Sequence, residues 1–374
     1  MIKSGFSGTP SDRDLNICHL KLCNQWKEDE IMVRKCFTLF TAVFLVFTLM
    51  TVGTAKLSMA QSHPEVDLKL LAMPVGGTVY VLSFALAEIL KKHHSWLRIQ
   101  PMEARGSMGN LKVLSEQPAA RKDTVFFTTE VSNVYAREAK KPFDKPYKGA
   151  RAIAAITSST MALATLDKNI KTKEDLAGKR LMTLRPGTTA AVCHKALISD
   201  IWGLGDKVKI SHGDFGPIRD ALKDGLVDLG AQPINGFPGT FFGPIPTLTD
   251  LMATKDVYFF KVSAESVRQI AKVTGLPVFP ASVPAGAIGP KQTEPIENFG
   301  FSISWWADQE MDPELVYEFT KAVYDYADKF QEYAGAQGKF ITRNKLGSIQ
   351  VPEELFHPGA VKFYKEKGIK VGAD

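Results

Sequence analysis

The sequence opens its ordered patterning at Leu68, Leu70 and Ala72, a short apolar run that breaks at Pro74 and so predicts a buried strand from Leu68 to Met73. Gly76 and Gly77 let the chain turn tightly. From Thr78 the apolar residues Leu82, Ala85, Leu86, Ile89 and Leu90 fall at helical spacing, which predicts a helix reaching Lys92. Strand-like and helix-like stretches then alternate: a strand from Leu97 to Met102, a helix near Asn110, a strand from Thr124 to Phe127, a helix near Tyr135 and a strand from Ala152 to Ile156. A second series runs from Met161 to Leu166, Arg180 to Leu184, a helix from Thr189 to Trp202, Val208 to Ile210, a helix near Ala221, and Val227 to Ala231. This alternation predicts two α/β lobes with largely parallel sheet. After the Pro- and Gly-rich segment 277–295, the apolar stretch Phe299 to Trp306 and a helix opening at Asp312-Pro313 predict a return to the first lobe. Two lobes joined by more than one crossing leave a cleft, with strand ends and helix starts facing it.

Charge changes the picture at the N-terminus. Arg34 and Lys35 precede Cys36 to Ala55, twenty residues without a charge that end in the small residues Gly53-Thr54-Ala55, with Ser58-Met59-Ala60 just beyond. That is the pattern of a secretory signal, with cleavage expected near Ala55 or Ala60, although a run of this length also suits an uncleaved membrane anchor. Met32 directly precedes Val33-Arg34-Lys35, so residues 1–31 are expected to be a non-native extension and 32–60 the signal. Cys18, Cys23 and Cys36 lie in or before it, leaving Cys193 as the single cysteine of the exported chain and no intrachain disulfide. The exported chain carries 39 basic and 35 acidic residues, which gives no nucleic-acid stripe and no polybasic membrane patch. No second apolar run approaches membrane-spanning length, so the mature chain is not expected to insert in a membrane.

The segment Lys171-Thr172-Lys173-Glu174-Asp175-Leu176-Ala177-Gly178-Lys179-Arg180, followed by Ala221-Leu222-Lys223-Asp224-Gly225-Leu226-Val227-Asp228, resembles the second lobe of type II periplasmic solute-binding proteins. Gly76-Gly77-Thr78 with Tyr80, Gly106-Ser107 with Asn110-Leu111, and Pro186-Gly187-Thr188 resemble more specifically the TAXI family of solute receptors for TRAP (tripartite ATP-independent periplasmic) transporters. The resemblance runs in order from about Val66 to about Phe330. It implies a type II periplasmic-binding-protein-like α/β fold whose lobes, 66–157 with 300–374 and 158–299, close over a small carboxylate such as glutamate or 2-oxoglutarate. It also implies a periplasmic location and delivery to a TRAP membrane permease with fused subunits. The chain departs from the family pattern at Met73-Pro74-Val75, at Arg105, and at Arg185 with Thr189-Ala190, all of which bear on the ligand.

Arg185 follows a predicted strand and precedes a Pro-Gly-Thr-Thr helix start, where a carboxylate can meet a guanidinium fork and free amides together. It reads equally as a surface arginine. Arg105 has the same placement after Met102, with Glu103 as an alternative partner. Thr78, Ser107, Asn110, Thr188 and Thr189 stand at predicted helix starts, where capping and ligand contact are compatible. Gly76, Gly77, Gly187, Thr128, Thr129, Gln232 and Asn235 complete the candidate lining, and Tyr80 and Trp305 are walls or plain core. An enzyme reading rests on Cys193-His194 alone, and neighbours on a helix point about 100° apart. The histidines show no metal spacing, and there is no phosphate loop, nucleophile elbow or dinucleotide fingerprint, so no cofactor, metal or catalysis is expected. A receptor for an ATP-driven importer or sensor kinase, and a secreted enzyme using Cys193, remain the alternatives.

Overall fold

Val66–Leu71 forms β1, Leu97–Met102 forms β2 and Thr124–Thr128 forms β3, with β1 parallel to both of the others. The computed structural model describes residues 64–73 and 77–372. The expected extension and signal, and Gly76, lie outside the described residues. Helices α1 (Thr78–His93) and α2 (Ser107–Glu116) make the crossovers that parallel pairing requires. α1 buries Val79, Leu82, Leu86, Ile89 and Leu90, the stripe that its spacing predicts. β1 starts and ends two residues before the expected strand. Ala72 still donates its amide to Met102 O at 3.0 Å.

After α3 (Glu130–Arg137), Ala150–Thr165 forms β4, a single 16-residue strand. The sequence pattern had divided this stretch in two. A second parallel group follows, in which β5 (Arg180–Thr183) pairs with β6 (Lys209–His212) and β7 (Leu229–Asn235). Its crossovers carry α4 (Thr189–Lys195), which continues as a π-helical turn over Ala196–Ile201, and α5 (Phe215–Lys223). Then come β8 (Gly243–Pro244), α6 (Pro246–Thr254), β9 (Tyr258–Phe260), α7 (Ala264–Thr274), β10 (Phe279–Val283) and β11 (Ile296–Asp308). The chain closes with α8 (Pro313–Asp325), α9 (Phe330–Ala334) and α10 (Pro358–Lys367).

The strand order is β2-β1-β3-β11-β4-β7-β5-β6. Only its two wings are parallel. β4 and β11 are antiparallel to each other and to their other partners, and they form the middle of the sheet. Each serves two cores. Ala152–Ile156 of β4 and Trp305, Trp306 and Ala307 of β11 belong to the core under the first wing, together with Val316 and Phe319 of α8 and Phe363 and Tyr364 of α10. Met161 and Leu163 of β4, and Phe299 and Phe301 of β11, belong to the core of the second wing. Ala162, Ala164 and Ile296 face a third cluster on the opposite side of that wing. The protein is thus a two-lobed α/β fold whose lobes share two continuous strands.

Candidate functional site

Where β4 and β11 pass between cores, apolar residues give way to Thr157, Ser158, Ser159 and Thr160 on one strand and Ser302 and Ser304 on the other, all buried. Buried hydroxyls need partners. Ser158 Oγ donates to Gly236 O at 2.6 Å, and Ser304 Oγ donates to Thr128 O at 3.4 Å. Ser159 lies beside Asn235 in the β4–β7 pairing, and Asn235 Nδ2 donates to Thr78 Oγ1 at 3.4 Å. The start of α1 in the first lobe therefore reaches the end of β7 in the second across a band of hydroxyls.

Several candidate residues gather here. Gly77 is the N-cap of α1, and Thr78 is its first residue. Neither α1 nor α2 has an acidic residue in its first turn, so their leading amides keep a positive field. Ser107 opens α2 behind Gly106, whose φ of 87° favours glycine; Ser107 Oγ meets Ser132 Oγ at 2.8 Å, and its carbonyl accepts from Thr128 Oγ1 at 3.3 Å. Thr129 caps α3 by accepting from Ser132 N at 3.1 Å. Asn110 ties strand ends together: Nδ2 donates to Leu71 O, Ala72 O and Phe127 O at 3.1, 2.8 and 2.9 Å. Gln232 sits between Phe215 O and the Thr247 hydroxyl. Tyr80 stacks on exposed Phe84 with ring centroids 4.6 Å apart. Trp305 is buried in the first core against Phe319 and Phe330. Arg105 is exposed, with no ion pair to another described residue.

The second-lobe loop has the expected helix start at Thr188, and its arginine is held by an acidic partner. Arg185 is exposed and holds Asp214 with two hydrogen bonds, Nε to Oδ1 at 2.7 Å and Nη2 to Oδ2. Thr188 caps α4 and donates to Arg185 O at 2.8 Å, next to Gly187 at φ 86°, while Thr189 is the first residue of α4. Asp214 gave no sign in the sequence of being Arg185's partner, because 29 residues separate the two. Glu130 was also missed. Its Oε1 accepts from Ser302 N at 2.6 Å, its side chain is buried, and burial pushes its carboxyl up to about 8. The polar run Thr157–Thr160 inside an apolar stretch was the available signal for the crossing.

Cys193 is buried, and burial pushes its thiol up to about 12, which leaves no thiolate for nucleophilic attack. Burial likewise lowers His194 to about 3, and its Nδ1 is hydrogen-bonded to Thr183 Oγ1 at 2.7 Å. No cluster of three potential metal ligands occurs among the described residues, and no helix there is long and apolar enough to cross a membrane. A cavity of about 570 Å³ opens at the other end of the crossing strands, beside Arg121, Arg151 and Asp308. Of the four cations that line it, Arg121 is engaged by Asp308 and Glu310 and Arg151 by Lys148 O, Ala150 O and Gln309, with Arg137 and Lys148 beside them.

The model of the NMT1-like family matches residues 70–368. Solved structures similar to this chain include MatC from Rhodopseudomonas palustris with bound malate, at 14% identity and a TM-score of 0.45, covering 82% of this chain and 97% of that one. A TctC solute binding protein from Polaromonas is 16% identical with a TM-score of 0.45, covering 74% and 90%. The periplasmic aliphatic sulphonate binding protein SsuA from Escherichia coli is 12% identical with a TM-score of 0.43, covering 83% and 96%.

Proposed function

The chain belongs to the NMT1-like family, and from that premise we propose that it is a periplasmic solute receptor that captures a small organic anion by closing two lobes over it. The observation that carries this reading is the crossing itself: two strands shared by both lobes, lined with buried hydroxyls, with Thr78 of one lobe hydrogen-bonded to Asn235 of the other. Few-stranded crossings of this kind let lobes rotate about a small number of backbone torsions. A carboxylate is supported by the unopposed amides at the starts of α1 and α2 and by Arg105, a cation with no ion pair to a described residue. Arg185 offers a second fork once the solute replaces Asp214. Export and delivery to a TRAP-type permease are supported by the signal-like segment and by the resemblance of the Gly77-Thr78, Gly106-Ser107 and Gly187-Thr188 positions to TAXI receptors.

Calorimetric titration with glutamate, 2-oxoglutarate and other small carboxylates tests this reading. One class is expected to bind near micromolar, corresponding to about 8 kcal/mol, and Arg105→Ala or Arg185→Ala to weaken it at least tenfold with folding intact. Unchanged affinity in both variants would remove the arginines from the site.

A further inference from the structure

The edge of β11 that faces away from β4 changes partner at the lobe crossing. Ser304, Trp305 and Trp306 pair with β3 in the first lobe, and residues from Ile296 to Gly300 pair with β10 in the second. Between them lies a gap with no strand neighbour among the described residues, and the amide in that gap, Ser302 N, is taken by Glu130 Oε1 at 2.6 Å. The carboxyl thus stands where a strand would, at the point about which the lobes are joined. Its helix spans the same junction, since Val131 packs in the second core and Ala136 in the first. The second oxygen, Oε2, has no hydrogen-bond partner among the described residues, with the Ser302 hydroxyl alongside.

We propose that Glu130 is a proton-operated latch of the lobe crossing: protonated, it stays buried and holds α3 against Ser302, and on losing its proton it leaves the gap and frees the lobes to separate. An ionised carboxylate buried without a countercharge is costly, and one hydrogen bond does not offset that cost. No countercharge is at hand among the described residues. β11 carries Glu297 and Asp308 only near its two ends, and α2 carries Lys112 and Glu116, which pair with each other. On α3 itself Tyr135 and Arg137 lie beyond the next turn. On α4, Cys193 and His194 are buried and neutral. Burial is the largest cause of the raised carboxyl pKa, and no neighbouring charge contributes to it. The latch concerns the crossing and does not depend on which solute is captured.

The test places spin labels on Glu88→Cys in α1 and Lys272→Cys in α7, two exposed positions, with Cys193 buried and unreactive. The interlobe distance distribution is followed from about pH 7 to about pH 9.5 without solute, and the carboxyl carbon of Glu130 is titrated by NMR in the parent protein. A single titrating carboxyl changes the ratio of the two populations by up to about tenfold per pH unit. The expected result is a shift to longer distances with a midpoint near that of the Glu130 resonance, absent in Glu130→Gln, which keeps an acceptor for Ser302 N. A Glu130 midpoint near the ordinary glutamate range, a distribution that ignores pH, or a shift that persists in Glu130→Gln overturns the latch. Should the variant not fold, coincidence or separation of the two midpoints in the parent protein decides. Failure of every solute to bind would count against the receptor reading and leave these outcomes unaffected.

Discussion

Asn110 shows how one side chain can be structural and still belong to a site. Its amide serves three carbonyls at the ends of β1 and β3, so the loops that leave those strands are held in place by a residue of α2. Asn110→Ala should cost about 2 to 3 kcal/mol, because buried carbonyls lose their donor; chemical denaturation measures it. Glu130 makes a pH prediction for stability. Its folded-state carboxyl titrates at about 8, above the ordinary 4.5, so between those values the folded protein holds more protons than the unfolded chain. Stability from this group is therefore complete below about pH 4.5 and is lost as pH rises through about 8. The loss is expected to be on the order of a few kcal/mol. Urea midpoints at about pH 5 and about pH 9 should differ less in Glu130→Gln than in the parent protein. At Arg185, Asp214→Asn removes a competitor for the guanidinium and should tighten binding of an anionic solute modestly, by roughly twofold to fivefold, since exposed pairs are weak. Weaker binding in that variant would show that Asp214 positions the arginine instead.

Among the elements, the end of β7 is tightly constrained. Gly236 has φ 148°, donates to Ser158 O at 2.9 Å, and a Cβ there would lie 2.5 Å from Phe241 O. Gly236→Ala should displace Asn235 and destabilise the fold by about 2 kcal/mol or more, seen as a lowered melting temperature. Neighbouring elements were legible to different degrees. The spacing of Leu82, Leu86, Ile89 and Leu90 gave α1 almost to the residue, because one helical face is enough to specify it. β4 was divided in two because Thr157 to Thr160 interrupt its apolar run; a strand passing between two cores has no apolar surface to cover there, and local pattern alone cannot tell such a crossing from a turn. The helix starts at Thr78, Ser107 and Thr188 were also legible, since capping chemistry is local. The Arg185–Asp214 pair and the Glu130–Ser302 contact were not, being made between residues 29 and 172 positions apart.

Across the whole molecule, two parallel wings each have their own core and are joined through β4, β11 and the helix that begins at Glu130, with further contacts from Thr78 to Asn235 and from Phe237 into the first core. That division explains why the junction is polar. A continuous apolar core would fuse the lobes, whereas buried hydroxyls satisfied by Gly236 O and Thr128 O tolerate a change of neighbour. On the proposed receptor reading, closure over a solute is expected to turn on these few residues. The most direct test of this account is a thermal-shift screen of protein stripped of co-purified ligand against dicarboxylates, amino acids, keto acids and aromatic acids. A solute at about 100 times its dissociation constant adds about 2.7 kcal/mol, worth several degrees in melting temperature. Solute capture predicts a reproducible shift with one carboxylate class; no shift with any class would contradict it.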